Sequence, residues 1–159
     1  PYDIWAKQGF ITLIDGPVIV PAVVAQHVAE AAEDFDLQLM AYDRWRINDF
    51  TRELDAIGVQ LPMQPFGQGF KDMAPAVDKL ERLVVDHKLL HGDNPVLNMC
   101  AANAIAERDP AGNRKLNKAK SIGRIDGLVA LAMALGAEAM GEGLVASSPW
   151  DDESFTLSG

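Results

Sequence analysis

Two aspartates stand where strand and helix signals border apolar sequence. Asp43 closes the run "LQLMAYD", and Asp126 heads "DGLVALAMALGAE", where the next charge is Glu138. The first run reads as a short buried strand that ends in a carboxylate. The second reads as a helix start that puts Asp126, Val129, Ala130 and Met133 on one face. Each aspartate alone has an ordinary explanation. A helix N-terminus stabilises a carboxylate by ~0.3–1 kcal/mol, and an Asp before Arg44-Trp45-Arg46 forms a turn. As a pair they suggest chemistry. Two partly buried carboxylates in one place repel, and they stay ionised only with a cation between them. Oxygen-only donors select hard cations, Mg²⁺ or Mn²⁺. Hydrolysis of a phosphodiester with two such ions, one activating water and one stabilising the leaving oxygen, needs carboxylates of this kind. Such sites commonly use more than two acids, and Asp86 and Asp93 are candidates for a further ligand.

Other side chains offer less. His27 falls on an apolar helix face and reads as a packed core histidine. His87 and His91 are four apart, but the helix that precedes them ends at about Lys88. There is no HExxH, and Cys100 is the sole cysteine, so no cysteine pair can form a zinc site or an intrachain disulfide within this sequence, and a reducing compartment is favoured. "FGQGF" lacks the length and the Lys-Ser/Thr of a phosphate loop. Its Gly67 and Gly69 read as points where the chain turns closely past a sheet.

The chain has 159 residues, enough for one core, and 48% of them are apolar, which excludes disorder over the whole length. Its net charge is −9, which argues against nucleic-acid binding over the whole surface. The charges are uneven, however. Between Arg108 and Arg124 lie Arg114, Lys115, Lys118 and Lys120 but only one acid, Asp109. That segment is either a solvated polar hairpin or a basic end on an acidic molecule. The longest apolar stretch, Leu128 to Ala137, is shorter than the ~20 residues of a membrane span. No secretory leader opens the chain, and "PYDIWAKQGF" looks like a cut through a longer protein.

The elements that must position these groups follow from periodicity. "GFITLIDGPVIV" reads as two short β runs around Asp15-Gly16-Pro17. "PAVVAQHVAEAAEDF" reads as a helix with Pro21 in its first turn and Val23, Val24, His27, Val28 and Ala31 on one face. "INDFTRELDAIG" is an amphipathic helix stopped by Gly58. "VQLPMQPF" is a second strand, and "MAPAVDKLERLVVDHK" a helix facing inward through Val77, Leu80, Leu83 and Val84. Asn94 and Pro95 start another helix, and Asp109 to Gly112 turn a hairpin. The alternation predicts an α/β domain with helices packed on a mixed sheet, where reactive residues gather at the carboxyl ends of strands.

Five stretches carry a resemblance. "PYDIWAKQGFITLIDGPVI", "AYDRW", "PFGQGFKDMAPAVDKLERLV", "HGDNPVLNMCAANA" and "DPAGNRKLNKAKSIGRIDGLVALAMALG" together resemble the C-terminal nuclease domain of the large terminase subunit of tailed bacteriophages. The resemblance implies an RNase H-like mixed sheet flanked by helices, a preceding ATPase motor domain, and cleavage of concatemeric double-stranded DNA during packaging with two divalent metals. It implies Asp43 and Asp126 as catalytic metal ligands, and Lys118, Lys120 and Arg124 as phosphate contacts. Implied partners are the ATPase domain, the small terminase subunit and the portal, in the host cytoplasm, with no membrane. The family's first acid lies on an opening strand, and no residue before Asp15 suits it. The chain is therefore expected to be a nuclease domain over 1–146 lacking its first central strand, followed by an acidic flexible tail over 147–159. Such a domain should cut weakly or not at all, and the uncovered sheet edge invites homo-oligomers. Two rivals remain: a non-catalytic prophage remnant that binds DNA or packaging proteins, and a flavodoxin-like small-ligand domain, for which no phosphate-cradling loop is present.

Overall fold

The structure, a computed structural model, describes residues 1–45 and 47–145. The tail expected over 147–159 lies outside the described residues.

The core forms where two helices meet under a small sheet. Helix α4 (Phe70–Val85) presents Met73, Ala76, Val77 and Leu80 to Ile125 and to Val129, Ala132, Met133 and Ala137 of helix α6 (Asp126–Val145). Phe66 fills the space between them and is 2% exposed. Close approach there depends on Gly136. A Cβ at that position would lie 2.5 Å from Phe66 Cζ and 2.9 Å from Ala76 Cβ, well inside van der Waals contact.

Strand β1 (Met40–Tyr42) pairs in parallel with β2 (Met63–Pro65), in the register Met40 with Met63 and Tyr42 with Pro65. Parallel strands need a crossover, and α3 (Ile47–Ala56) supplies it. Gly58, at φ +72°, takes the left-handed conformation that ends this helix. Helix α2 (Pro21–Glu33) begins on Pro21, where a missing N–H is harmless, and packs on α3 through its small Ala25 and Ala29. Helix α1 spans Tyr2–Lys7.

Helix α5 (Pro95–Asn103) is capped by Asn94, whose Oδ1 accepts from the Val96 and Leu97 N–H groups. The hairpin β3 (Ala106–Arg108) and β4 (Arg114–Leu116) turns through Gly112 at φ +89°. It is fastened to α4 by Arg114, which donates to Asp78 and to Glu81.

Three expectations need correction. The two β runs read in residues 10–20 are absent. That segment holds only bends and irregular chain, and Leu13, Val18 and Ile19 are exposed, because no strand among the described residues lies beside it to supply ladder partners. The mixed sheet is instead two separate two-stranded sheets, one parallel and one antiparallel. His27 is exposed rather than core: the buried face of α2 runs through Ala25 and Ala29, and His27 Nδ1 bonds back to the Val23 carbonyl. Among the described residues no strand precedes β1, and β1 pairs only with β2.

Candidate functional site

The carboxyl ends of β1 and β2 lie side by side, and the residues just beyond them set one wall of a cleft. Asp43 follows β1 directly. Its Oδ1 accepts from the Trp45 backbone N–H at 3.2 Å, a local turn bond, and its Oδ2 accepts from Gln68 Nε2 at 2.8 Å. Gln68 comes from the loop after β2, between Gly67 and Gly69. The parallel register brings the two loops together.

The opposite wall is the start of α6. Asp126 is its first residue, and Val129, Ala130 and Met133 continue the same face into a cleft of about 370 Å³ that Asp43, Gln68 and Lys118 also line. Asp43 and Asp126, distant in sequence, therefore share one cavity. Both are exposed, contrary to the expectation of partial burial. The strand is too short, and the helix start too near the surface, to cover them.

Asp126 is ion-paired. Lys118 Nζ lies 2.8 Å from its Oδ1. The carboxyl is held below the usual carboxylate range by the Lys118 hydrogen bond first. The Lys118 and Arg124 charges add to this, and loss of water on the side facing the cleft opposes it. The loop that presents Lys118 is pinned by Asn117. Its Oδ1 accepts from the Ala119 and Lys120 N–H groups, and its carbonyl accepts from Ser121 N and Oγ. Ile125, under the cleft, is 1% exposed and anchors the end of this loop in the core.

The basic segment is less free than its composition suggests. Lys120 pairs with Glu107 Oε1 at 2.9 Å, Lys115 approaches the same carboxylate and stacks over Phe70, and Arg114 is held by Asp78 and Glu81. Of the three expected phosphate contacts, only Arg124 makes no ion pair among the described residues. Gln68 is the member of the cleft that composition did not reveal. Its signal was positional: once β1 and β2 are read as parallel neighbours, the residues after both strands must meet.

The donor set fits a hard divalent cation in kind, being carboxylate and amide oxygen without thiol or imidazole. It is short in number. No group of three His, Cys, Asp or Glu side chains suited to a metal occurs among the described residues. Asp86 caps the end of α4 beside Lys88, and Asp93 accepts from Asn98. Neither lines the cleft, so neither supplies a third ligand there. A larger groove of about 750 Å³ includes His87 and His91 in its rim. Its lining is mainly aliphatic, and its one carboxylate among the described residues, Glu81, is engaged by Arg114. Of these two, the smaller cleft is the one lined by two carboxylates among the described residues. No helix among the described residues is long and apolar enough to cross a membrane.

Comparison with known proteins gives a consistent picture. The family model described as terminase large subunit, endonuclease domain, matches residues 1–142. The chain is 50% identical over 155 residues to the large terminase subunit of Enterobacteria phage HK97, covering 98% of this chain and 31% of that protein. It is 22% identical over 134 residues to protein YmfN of Escherichia coli (strain K12), covering 83% of this chain and 29% of the relative. The crystal structure of the HK97 bacteriophage large terminase superposes with a TM-score of 0.82 at 52% identity, over 86% of this chain and 29% of that one. The chain thus spans under a third of the length of these relatives.

Proposed function

The chain belongs to the terminase large subunit endonuclease domain family, and from that premise we propose that it is the metal-dependent endonuclease domain that cuts concatemeric double-stranded DNA during genome packaging within the full subunit, and that it cuts weakly by itself. The observation that supports this reading is the meeting of Asp43 and Asp126 in one cleft. We read the domain as RNase H-like over 1–146, with Asp43 and Asp126 as ligands for Mg²⁺ or Mn²⁺. A pair of such ions, when bound, supplies Lewis acidity at the attacking and leaving oxygens of the phosphodiester.

The chain's own residues do the rest. Trp45 N–H and Gln68 fix the Asp43 carboxylate from two sides, so its orientation does not depend on a ligand. Asp126 is fixed by the start of a long, packed helix. Both acids are open to solvent, which a backbone phosphate requires for approach. Arg124, Lys118 and Lys120 flank the Asp126 side and are the phosphate contacts in this reading. Binding through phosphates alone confers little sequence preference. By the same reading the ATPase part of the full subunit, the small terminase subunit and the portal are the partners, and the host cytoplasm the location. The single-strand pairing of β1 leaves a sheet edge where homo-oligomers can form.

One observation favours a second reading, a non-catalytic module that binds DNA or packaging proteins. The cleft has two carboxylates where two-metal hydrolysis commonly uses more. Calorimetric titration with Mn²⁺ and plasmid nicking with Mn²⁺ separate the two. Nicking that disappears in Asp43→Asn and Asp126→Asn supports the nuclease. Mn²⁺ binding with no nicking supports the module, and no Mn²⁺ binding at all refutes the metal site.

A further inference from the structure

We propose that Lys118 is a built-in counter-cation for the carboxylate cleft: its ammonium holds Asp126 while no metal is bound, and leaves for a DNA phosphate when a divalent cation takes its place. This rests on the metal-site reading above and adds a coupling that the reading does not contain. Metal and DNA would bind cooperatively because they use the two alternative states of one side chain.

The geometry points to this role in three steps. Lys118 Nζ is 2.8 Å from Asp126 Oδ1, inside the cleft that Asp43 also lines. A single positive charge thus already stands among the two acids, where it offsets their mutual repulsion. Next, the neighbouring lysines and Arg114 are committed elsewhere, and Arg124 makes no ion pair with Asp126 among the described residues. Lys120 and Lys115 are on Glu107 and Arg114 is on Asp78 and Glu81, so Asp126 has Lys118 alone at contact distance among the described residues. Finally, the backbone of Lys118 is fixed while its side chain is not. Asn117 and Ser121 pin the loop, whereas the Lys118 side chain is 49% exposed on a flexible four-carbon stem. The ammonium can therefore swing from carboxylate to an incoming phosphate without rearranging the loop.

The consequence is a linkage. A cation binding at Asp126 must displace Lys118, which weakens the metal by the strength of an exposed pair, a factor of about two to five. Once displaced, Lys118 is an unpaired charge at the rim, and it strengthens DNA binding by a comparable factor. The coupling is reciprocal, so DNA tightens the metal as much as the metal tightens DNA.

Three measurements test it, none of which depends on cleavage. Calorimetric titration of Mn²⁺ into the wild-type chain and into Lys118→Gln should show the variant binding roughly two- to fivefold tighter. In the wild-type chain, amine-reactive labelling read by peptide mass spectrometry should find Lys118 more reactive with Ca²⁺ than without, while exposed Lys71 stays constant. Ca²⁺ should also tighten a duplex oligonucleotide on the wild type, by fluorescence anisotropy, more than on Lys118→Gln. If the wild type binds no Mn²⁺, the metal reading fails and this inference falls with it. If the wild type binds Mn²⁺ but the variant binds no tighter and Lys118 labelling is unmoved by Ca²⁺, the inference is overturned and the metal site stands. Should Lys118→Gln fail to fold, the wild-type labelling decides alone.

Discussion

Replacing Gly136 with Ala should destabilise the fold, although Ala is the better helix former. A Cβ at this position lies 2.5 Å from Phe66 Cζ, 2.7 Å from Phe66 Cε2 and 2.9 Å from Ala76 Cβ. Carbon atoms rest at about 3.5–4.0 Å, so the Phe66 ring or helix α4 must retreat by roughly 1 Å. Phe66 is 2% exposed and Ala76 is fully buried, so neither has free space to enter. Overpacking of this kind costs about 1–3 kcal/mol, against a gain of about 1 kcal/mol from exchanging Gly for Ala in a helix interior. The net expectation is a loss of up to about 2 kcal/mol. Gly141, in the same helix, is the internal control. A Cβ there meets nothing within 4 Å, so Gly141→Ala should gain by up to about 1 kcal/mol. Urea unfolding followed by circular dichroism reads both variants. If Gly136→Ala gains as much as Gly141→Ala does, the seating of Phe66 between α4 and α6 is wrong.

Four further outcomes follow from the contacts described above. Asn94→Ala removes the acceptor for two N–H groups at the start of α5 and should cost about 1 kcal/mol, read as a lower urea midpoint. Stability should fall in acid. Glu81 is held low by the Arg114 hydrogen bond, Glu107 by Lys120, Asp109 by Asn113 and Asp126 by Lys118. A folded pKa below the unfolded value gives stability that is full above the unfolded pKa and lost as pH drops through the folded one, so midpoints should decline from about pH 5 downward. Carboxyl NMR titration of Lys118→Met should find Asp126 returned toward its ordinary value, and an unmoved Asp126 would contradict the ion pair. Asp43→Asn should weaken Mn²⁺ binding at least tenfold by calorimetry, on the order of one lost charge-assisted ligand, with the fold intact by circular dichroism.

Local chemistry made much of this readable in advance. Asn94-Pro95 starts a helix, Gly58 stops one, and Asp109 to Gly112 turn the hairpin, each for a reason contained in a few adjacent residues. Asp43 and Asp126 were visible as acids set in apolar runs. Their shared cleft needed the tertiary fold, since it depends on α6 lying across the end of β1. Residues 10–20 misled because β-branched content predicts a strand only where a ladder partner exists. The face of α2 was misplaced because alanines, not the larger valines, are what its close contact with α3 admits. The basic segment was read without the acids of α4 and β3 that neutralise most of it.

Helix α6 touches α4, α5 and β1, and it bears Asp126 at its first residue. Ten positions on, roughly 15 Å along the axis, the bare backbone of Gly136 receives Phe66, two residues before the Gln68 that grips Asp43. One rod thus carries the first acid outright and steers the second through a ring and an amide. A change that reseats the rod therefore shifts the two acids relative to one another. Mutational damage to the interior should therefore show as a mis-spaced cleft in a chain that still looks folded.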